Sequence, residues 1–362
     1  MQQRFQQAIE ERVRLVRDYV MQPEYLNRLT PEDMREAVTC YFESGGKRLR
    51  PAVLLFCVGA VGGDEKKALC AAAATEIFHT WTLVHDDIID RDPIRRGAPT
   101  VHERFRVKPS TRALYDGDDS EARHYGLSVA VLAGDVQHGW GISLMTELTR
   151  KYGLAPDVTL MLINTLDTRV LCTLVDGEML DVQYSRVPVP QLSLEQVESM
   201  LWKKTGALYE FCGEAGACIG LNCPDLKHPL AQALGKFCSA CGTAFQLQDD
   251  ILGIVGNETV LGKPVGGDIR EGKRTLIVLH AYRQASDAER KLMLNTLGNP
   301  QAGTEQIAAL QELFQRLGSI AYTADLARTR VDEALTHLAQ VPPSPYRDLL
   351  QDWAEFMIER EF

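Results

Sequence analysis

The chain has 362 residues, 45% of them apolar and 24% charged, with 39 Lys and Arg against 49 Asp and Glu for a formal net charge of −10. At about 150 residues per domain the length fits one large domain or two, and a chain this long buries a core without needing disulfides or a structural metal. The acidic balance argues against a general nucleic-acid binder, which needs a basic face to displace counterions; an anionic substrate remains open, because a local basic cluster or bound cations overrule the global sign.

Apolar residues at three- and four-residue spacing predict helices over residues 4–22, 31–43, 66–90, 125–150, 159–183, 194–220, 229–255 and 275–283. The opening MQQRFQQAIEERVRLVRDYV mixes both charge signs and has no apolar core, so it reads as an amphipathic helix and not as a signal peptide. Thr30 followed by Pro31 reads as a capping hydroxyl before a first-turn proline. The apolar runs at 52–60 and 68–74 fall short of the roughly 20 residues of a membrane span, so no transmembrane segment is expected. Residues 107–123, with Pro109, Gly117 and the acids of 116–121, read as a surface loop between strong helices. Ser193 and Gln196 match a capping box, the prolines of RVPVP at 186–190 make it a loop, and 299–303 is a hinge-like stretch before C-terminal helices. The only CxxC among nine cysteines is Cys238 to Cys241, in an alanine-rich helical stretch. It reads as buried thiols of a reducing compartment, the cytoplasm, and not as a zinc or redox site. Strand alternation is almost absent, and the expectation is one all-α domain over residues 1–362.

Two acid clusters stand out. In Asp86-Asp87-Ile-Ile-Asp90, Asp86 and Asp90 share a helix face one turn apart. Like charges at that spacing destabilise a helix. They suit a hard cation such as Mg²⁺, which uses one or two carboxylates and substrate phosphates; the plain alternative is a solvated helix end. The second cluster is Gln246, Asp249 and Asp250, at i, i+3 and i+4 near the end of another apolar helix. Basic groups accompany both. Gly45-Gly46-Lys47-Arg48-Leu49-Arg50-Pro51 sets three cations beside two glycines, His79 lies two helical turns before Asp86, and Arg95-Arg96 follows the first cluster. Lys204-Thr205 lies in a helix, and Lys263 and Lys273 lie in LGKPVGGDIREGK after the second cluster. Taken singly, each is a common surface or core feature. Together they pose a physical requirement: carboxylates and phosphates repel by about 4 kcal/mol per unit pair at 4 Å and an effective dielectric near 20. A site holding both needs divalent cations between them, and a diphosphate so bound becomes a stabilised leaving group.

With these residues in view, the chain resembles the polyprenyl synthetase family of trans-isoprenyl diphosphate synthases. The resemblance runs in order through GGKRLRP at 45–51, His79, DDIID at 86–90, RRGAPTVH at 95–102, AGD at 133–135, GEMLD at 177–181, KTG at 204–206, FQLQDD at 245–250 and LGKPVGGDIREGK at 261–273. It implies an all-α bundle around a deep apolar tunnel. The implied reaction is Mg²⁺-dependent head-to-tail condensation of isopentenyl diphosphate with an allylic diphosphate, in a homodimer, with about three ions bound together with the diphosphate. It further implies that Asp86, Asp90 and Asp249 hold the metal, supported by Asp87 and Asp250. Lys47, Arg50, His79 and Arg96 would bind isopentenyl diphosphate. Arg95, Lys204, Gln246, Lys263 and Lys273 would grip the allylic diphosphate, with Thr205 nearby. Ionisation, attack by the homoallylic double bond and proton loss need no protein nucleophile.

Two departures from the family pattern stand out: Gly253 replaces the last aspartate of the second motif, and Glu178 follows Gly177 where the family has glutamine. The 107–123 segment is also longer than the family connection. A class I terpene cyclase would share the first motif but want N-D-x-x-S-x-x-x-E, and a non-catalytic subunit on the same fold would typically lose the acid motifs. Phe78 and Trp81, at i and i+3, are about 4.5 Å apart along a helix axis, close to one isoprene unit. Trp81 stands five residues before Asp86, where a bulky ring goes with short products in the family. A ring floor there gives geranylgeranyl (C20) first and farnesyl (C15) second; otherwise both rings are ordinary core aromatics.

Overall fold

The computed structural model describes residues 2–255 and 266–358. Its described residues are almost wholly helical; the strand content is one two-residue hairpin, Ile94–Arg95 against Ala98–Pro99. The expected helices appear with shifted ends. The first runs Gln2–Val20 and the third long one Leu69–Asp90, entered through a 3-10 turn at Glu65–Ala68 that Asp64 caps. Pro229–Val255 starts where expected and is helical up to Val255, the last residue described before 266. Ser193 and Gln196 form the capping box, Gln196 N–H donating to Ser193 Oγ at 3.1 Å and Ser193 N–H to Gln196 Oε1 at 2.8 Å.

Three readings are corrected. Thr30 caps nothing: the helix Glu32–Glu43 begins after Pro31 with no side-chain cap. Residues 107–123 are not a loop. They hold a short helix, Pro109–Leu114, a left-handed turn at Asp116 and Gly117, and the start of the helix Asp119–Met145. The acids there serve as its N-terminus: Asp118 accepts from Ser120 and Glu121 N–H, and Asp119 meets Arg106 at 2.5 Å and Arg112 at 2.9 Å. Finally, 159–183 and 194–220 are each divided by a wide π-helical turn, at Thr165–Val170 and Trp202–Gly206.

The residues gather into two compact units: Gln3–Ile163 with Cys218–Pro224, and Asn164–Ala217 with Asp225–Phe362. In the first, Leu69–Asp90 packs on Asp119–Met145, and Val84, Val101, Phe105, Val129, Ala130 and Ala133 fill a buried cluster with Val38 and Tyr41. The late segment joins it closely: the space above Gly63 is closed by the Gly220 backbone, and Asn222 Oδ1 accepts from Ala155 N–H at 2.9 Å. In the second unit Pro229–Val255 packs on Ser319–Leu338, and Trp353, fully buried, contacts Tyr209 and Phe237.

Among the described residues one helical stretch, Pro156–Tyr184, is long and apolar enough to cross a membrane by length and composition, with 39% of its apolar window buried. The apolar runs considered above missed it because Asp167 and Arg169 interrupt it. Those charges sit mid-window, where a bilayer would penalise them, and Arg169 is ion-paired to Glu214. Seven of the nine cysteines are buried, Cys238 and Cys241 among them.

Candidate active site

The first unit carries two adjoining groups of polar residues. At the end of Leu69–Asp90, Asp86 and Asp90 are partly exposed and Asp87 is buried. The hairpin that follows turns Arg95 back onto the acids, its Nη2 3.0 Å from Asp86 and its Nε 2.5 Å from Asp87. Tyr41 donates to the other Asp87 oxygen. Burial pushes the Asp87 carboxyl up to about 6 despite Arg95. Asp87 thus anchors the motif from behind, while Asp86 and Asp90 keep access to solvent. Arg95 is held by the acids in this state.

The second group is the GGKRLRP turn. Gly45 and Gly46 have φ of +79° and +117°, and Arg48 is itself left-handed at +42°; a side chain at Gly46 would strike the Arg96 guanidinium, whose Nη1 donates to Gly45 O at 2.7 Å. Lys47 and Arg96 are exposed. Arg50 Nη1 lies 3.0 Å from His79 Nε2. Arginine only donates, so that nitrogen accepts and the ring is neutral; burial, with Arg50 and Arg96 adding to it, holds His79 well below the usual imidazole value. The structure therefore brings Lys47, Arg50, His79 and Arg96 to one place. Arg48, which sequence reasoning passed over, is buried beneath them: Nη2 donates to Phe42 O at 2.7 Å, and Nε faces buried Glu76 at 3.6 Å. The signal was present, since Glu76 stands one turn before His79 on the same stripe.

Behind Asp86, Phe78 is fully buried and meets Trp81 edge to face with centroids 5.0 Å apart. His138, from Asp119–Met145, contacts both rings at 5.6 and 5.4 Å. Nothing in the helical period announced it.

The second unit carries the other cluster. A side chain on Gly177 would collide with the backbone of Lys203 and Lys204, so the helix Leu171–Tyr184 and the π turn meet backbone to backbone. That approach sets Lys204 Nζ 2.7 Å from Asp181 and 2.9 Å from Glu178, and Lys273 3.5 Å from Asp181. Thr205 donates to Gln246 Oε1 at 2.9 Å, and Gln246 Nε2 to Asp250 Oδ1 at 3.0 Å. Asp249 is partly exposed, Asp250 buried. Burial and then the Asp268 charge push Asp250 up to about 8, Gln246 opposing and Asp181 and Asp249 adding. Its Oδ2 is buried without a hydrogen-bond partner among the described residues. Lys263 lies outside the described residues. Among these, no three His, Cys, Asp or Glu converge tightly enough to hold a metal alone; a cation that takes one or two carboxylates and completes its shell from a ligand's oxygens fits such donors, and the orphaned Asp250 oxygen is in keeping with one.

The polyprenyl synthetase family model matches residues 31–314. A geranylgeranyl diphosphate synthase of Sulfolobus acidocaldarius is 36% identical over 331 residues, 90% of each chain. A geranylfarnesyl diphosphate synthase of Aeropyrum pernix is 30% identical, covering 92% of this chain and 96% of its own. The crystal structure of geranylgeranyl pyrophosphate synthetase from Pyrococcus horikoshii superposes with TM-score 0.82 at 31% identity, covering 99% of both chains. That of geranylgeranyl pyrophosphate synthase from Corynebacterium glutamicum, complexed with isoprenyl diphosphate and magnesium, gives 0.83 at 27% identity, again over 99% of both.

Proposed function

The chain belongs to the polyprenyl synthetase family, and from that premise we propose that it is a short-chain prenyl diphosphate synthase, adding isopentenyl diphosphate to allylic diphosphates up to geranylgeranyl diphosphate. One observation carries the reading furthest: Arg50 is bonded to His79, and Arg96 to the glycine turn that carries Lys47, in the same unit as the first acid motif.

Divalent cations bound with the diphosphate, which we take to be about three Mg²⁺, would neutralise the leaving group. Asp86, Asp90 and Asp249 would hold them, with Asp87 and Asp250 behind. Lys47, Arg50 and Arg96 bind the diphosphate of the isopentenyl substrate. His79 orients Arg50 by accepting its hydrogen bond and, being neutral, adds no charge of its own. Lys204 and Lys273 bind the allylic diphosphate. Until then Asp181 and Glu178 hold Lys204 in place, which saves ordering it on binding. Lys263 would join them, and Arg95 would add charge beside Asp86. Trp81 and Phe78 would block the growing chain, since packed interiors do not yield by a whole ring. The second product reading, farnesyl diphosphate, rests on Trp81 being the nearer ring to Asp86.

Val131, Leu132 and Leu160 are 45%, 52% and 63% exposed, an apolar display in keeping with a homodimer, which sedimentation at micromolar concentration would reveal or refute. The buried thiols suit the cytoplasm. The reaction is tested by one incubation of geranyl diphosphate, isopentenyl diphosphate and Mg²⁺. A linear C20 diphosphate is expected; a cyclic hydrocarbon would indicate a cyclase and no product a non-catalytic subunit. Asp86→Ala should lose several kcal/mol of transition-state stabilisation while keeping its helical spectrum. Near-normal turnover of that variant at saturating Mg²⁺ contradicts the assignment.

A further inference from the structure

Two side-chain clamps fasten the π turn Trp202–Gly206 to the helix Pro229–Val255. Near its end Thr205 donates to Gln246. At its first residue the indole N–H of Trp202 donates to Ser239 Oγ at 2.9 Å and, less closely, to Glu210 Oε2 at 3.3 Å; Ser239 in turn donates to the same Glu210 oxygen at 3.1 Å. We propose that Trp202, acting with Ser239 and Glu210, is a positioning residue for the allylic substrate: it keeps the π turn open and so holds Lys204 and Thr205 where the allylic diphosphate binds. This rests on the functional reading above and extends it to residues outside the sequence motifs.

Three observations support it. The first is angular. Trp202 and Glu210 are eight residues apart, and eight α-helical steps of about 100° leave such a pair roughly 80° apart around the axis. A π turn takes up one extra residue, so the eight residues advance like seven steps, about 700°, and the pair comes within roughly 20° of one line. The bond between them thus needs the turn and, once made, stabilises it. The second is register. Ser239 and Gln246 are seven residues apart, two turns along one face of Pro229–Val255, and Thr243 between them donates to Ser239 O at 3.0 Å. The turn is therefore held at two points on that face, with Lys204 between Trp202 and Thr205. Closing the turn would rotate Trp202 by about 100° against Glu210. It would also shift Lys204 against Asp181 and Glu178, which it meets at 2.7 and 2.9 Å. The third is backing. Glu210 faces Arg169 at 3.7 Å, and Arg169 is ion-paired to Glu214, which is almost fully buried. Arg169 stands in the other π turn, Thr165–Val170, so one polar cluster joins the two irregular turns. Single π turns inside α-helices recur at functional sites, and this one carries the lysine.

The test separates the two substrates. Steady-state rates are measured on the whole protein with geranyl diphosphate, isopentenyl diphosphate and Mg²⁺. Trp202→Phe, which keeps an aromatic ring and removes the N–H, should raise the Michaelis constant for geranyl diphosphate at least fivefold and leave that for isopentenyl diphosphate within twofold. Added to Lys204→Ala, it should lose little beyond Lys204→Ala alone, because both changes act through one ammonium group. Glu210→Gln, which keeps an acceptor oxygen, should stay within twofold of wild type, whereas Glu210→Ala should move toward Trp202→Phe. An unchanged geranyl constant in Trp202→Phe, equal effects on both substrates, or losses that multiply with those of Lys204→Ala overturn the proposal. If Trp202→Phe loses its helical spectrum, the two Glu210 variants decide: a geranyl-specific loss in Glu210→Ala that Glu210→Gln does not show supports the positioning role, and no difference between them refutes it. A wild-type protein that makes no product from these substrates overturns the functional reading itself, and this proposal with it, a different failure from an active enzyme that Trp202→Phe leaves unaffected.

Discussion

At the scale of single residues, Arg48 shows how a buried charge serves an exposed one. Its guanidinium holds the carbonyl of Phe42 and faces Glu76, with both side chains almost fully buried. It thereby pins the left-handed turn on which Lys47 stands exposed. Burial lowers the Arg48 pKa and raises that of Glu76, each opposed by the other's charge. Breaking such a pair from one side leaves an uncompensated charge and costs about 3–5 kcal/mol. Arg48→Met should show a loss of that size in chemical denaturation. It should also raise the Michaelis constant for isopentenyl diphosphate more than that for the allylic substrate, because the turn carries Lys47 and Arg50. Adding Glu76→Leu should restore much of the stability but not the Michaelis constant. A single variant within 1 kcal/mol of wild type, or equal effects on both substrates, contradicts this account.

At the scale of elements, long periodic segments were legible and their irregularities were not. Pro229–Val255 is regular over 27 residues, and the sequence pattern marks its start. The π turns escape notice because one extra residue shifts the apolar stripe without erasing it. The acids of 116–121 look like a loop until they are seen capping the helix Asp119–Met145. Motifs contiguous in sequence, such as Asp86 to Asp90, could be read directly. Partners far apart in sequence, such as Tyr41 for Asp87, required the fold. Phe78 and Trp81 are an intermediate case: their shared face follows from i, i+3 spacing, whereas His138 enters from another helix. Trp81→Ala should lengthen the product by at least one isoprene unit, read by chromatography of the dephosphorylated alcohols, and Phe78→Ala added to it should lengthen it again. An unchanged chain length in Trp81→Ala places the floor elsewhere.

For the whole molecule, two buried groups give opposite pH dependences. Asp250, raised to about 8, takes up a proton in the folded chain that the unfolded chain accepts only near pH 4. Folding of the metal-free protein should therefore strengthen as pH falls from 8.5 toward 7. His79 is held well below about 6.5, so below that pH the unfolded chain gains a proton the folded one refuses, and stability falls. Each group contributes a slope of up to about 1.4 kcal/mol per pH unit. Denaturant midpoints in EDTA should rise from pH 8.5 to 7 and then level off toward 5.5, where the two slopes cancel; Asp250→Asn should remove the rise and leave a decline below about 6.5, and His79→Gln should let the rise continue to 5.5. A steady decline from pH 8.5 to 5.5 would show that other groups dominate. The order of the chain has a different kind of consequence. The unit that begins at Gln3 leaves its own segment at Ile163 and is completed only by Cys218–Pro224, where Gly220 closes over Gly63 and Asn222 holds Ala155. On a ribosome moving at about 5–20 residues per second, the unit bearing the first acid motif waits roughly 3–12 s for its last piece, while the opening of the other unit is already being made. Its apolar surfaces stay incomplete through that interval, which makes the nascent chain a client for holding factors before Asp249 and Asp250 of the second unit have been made.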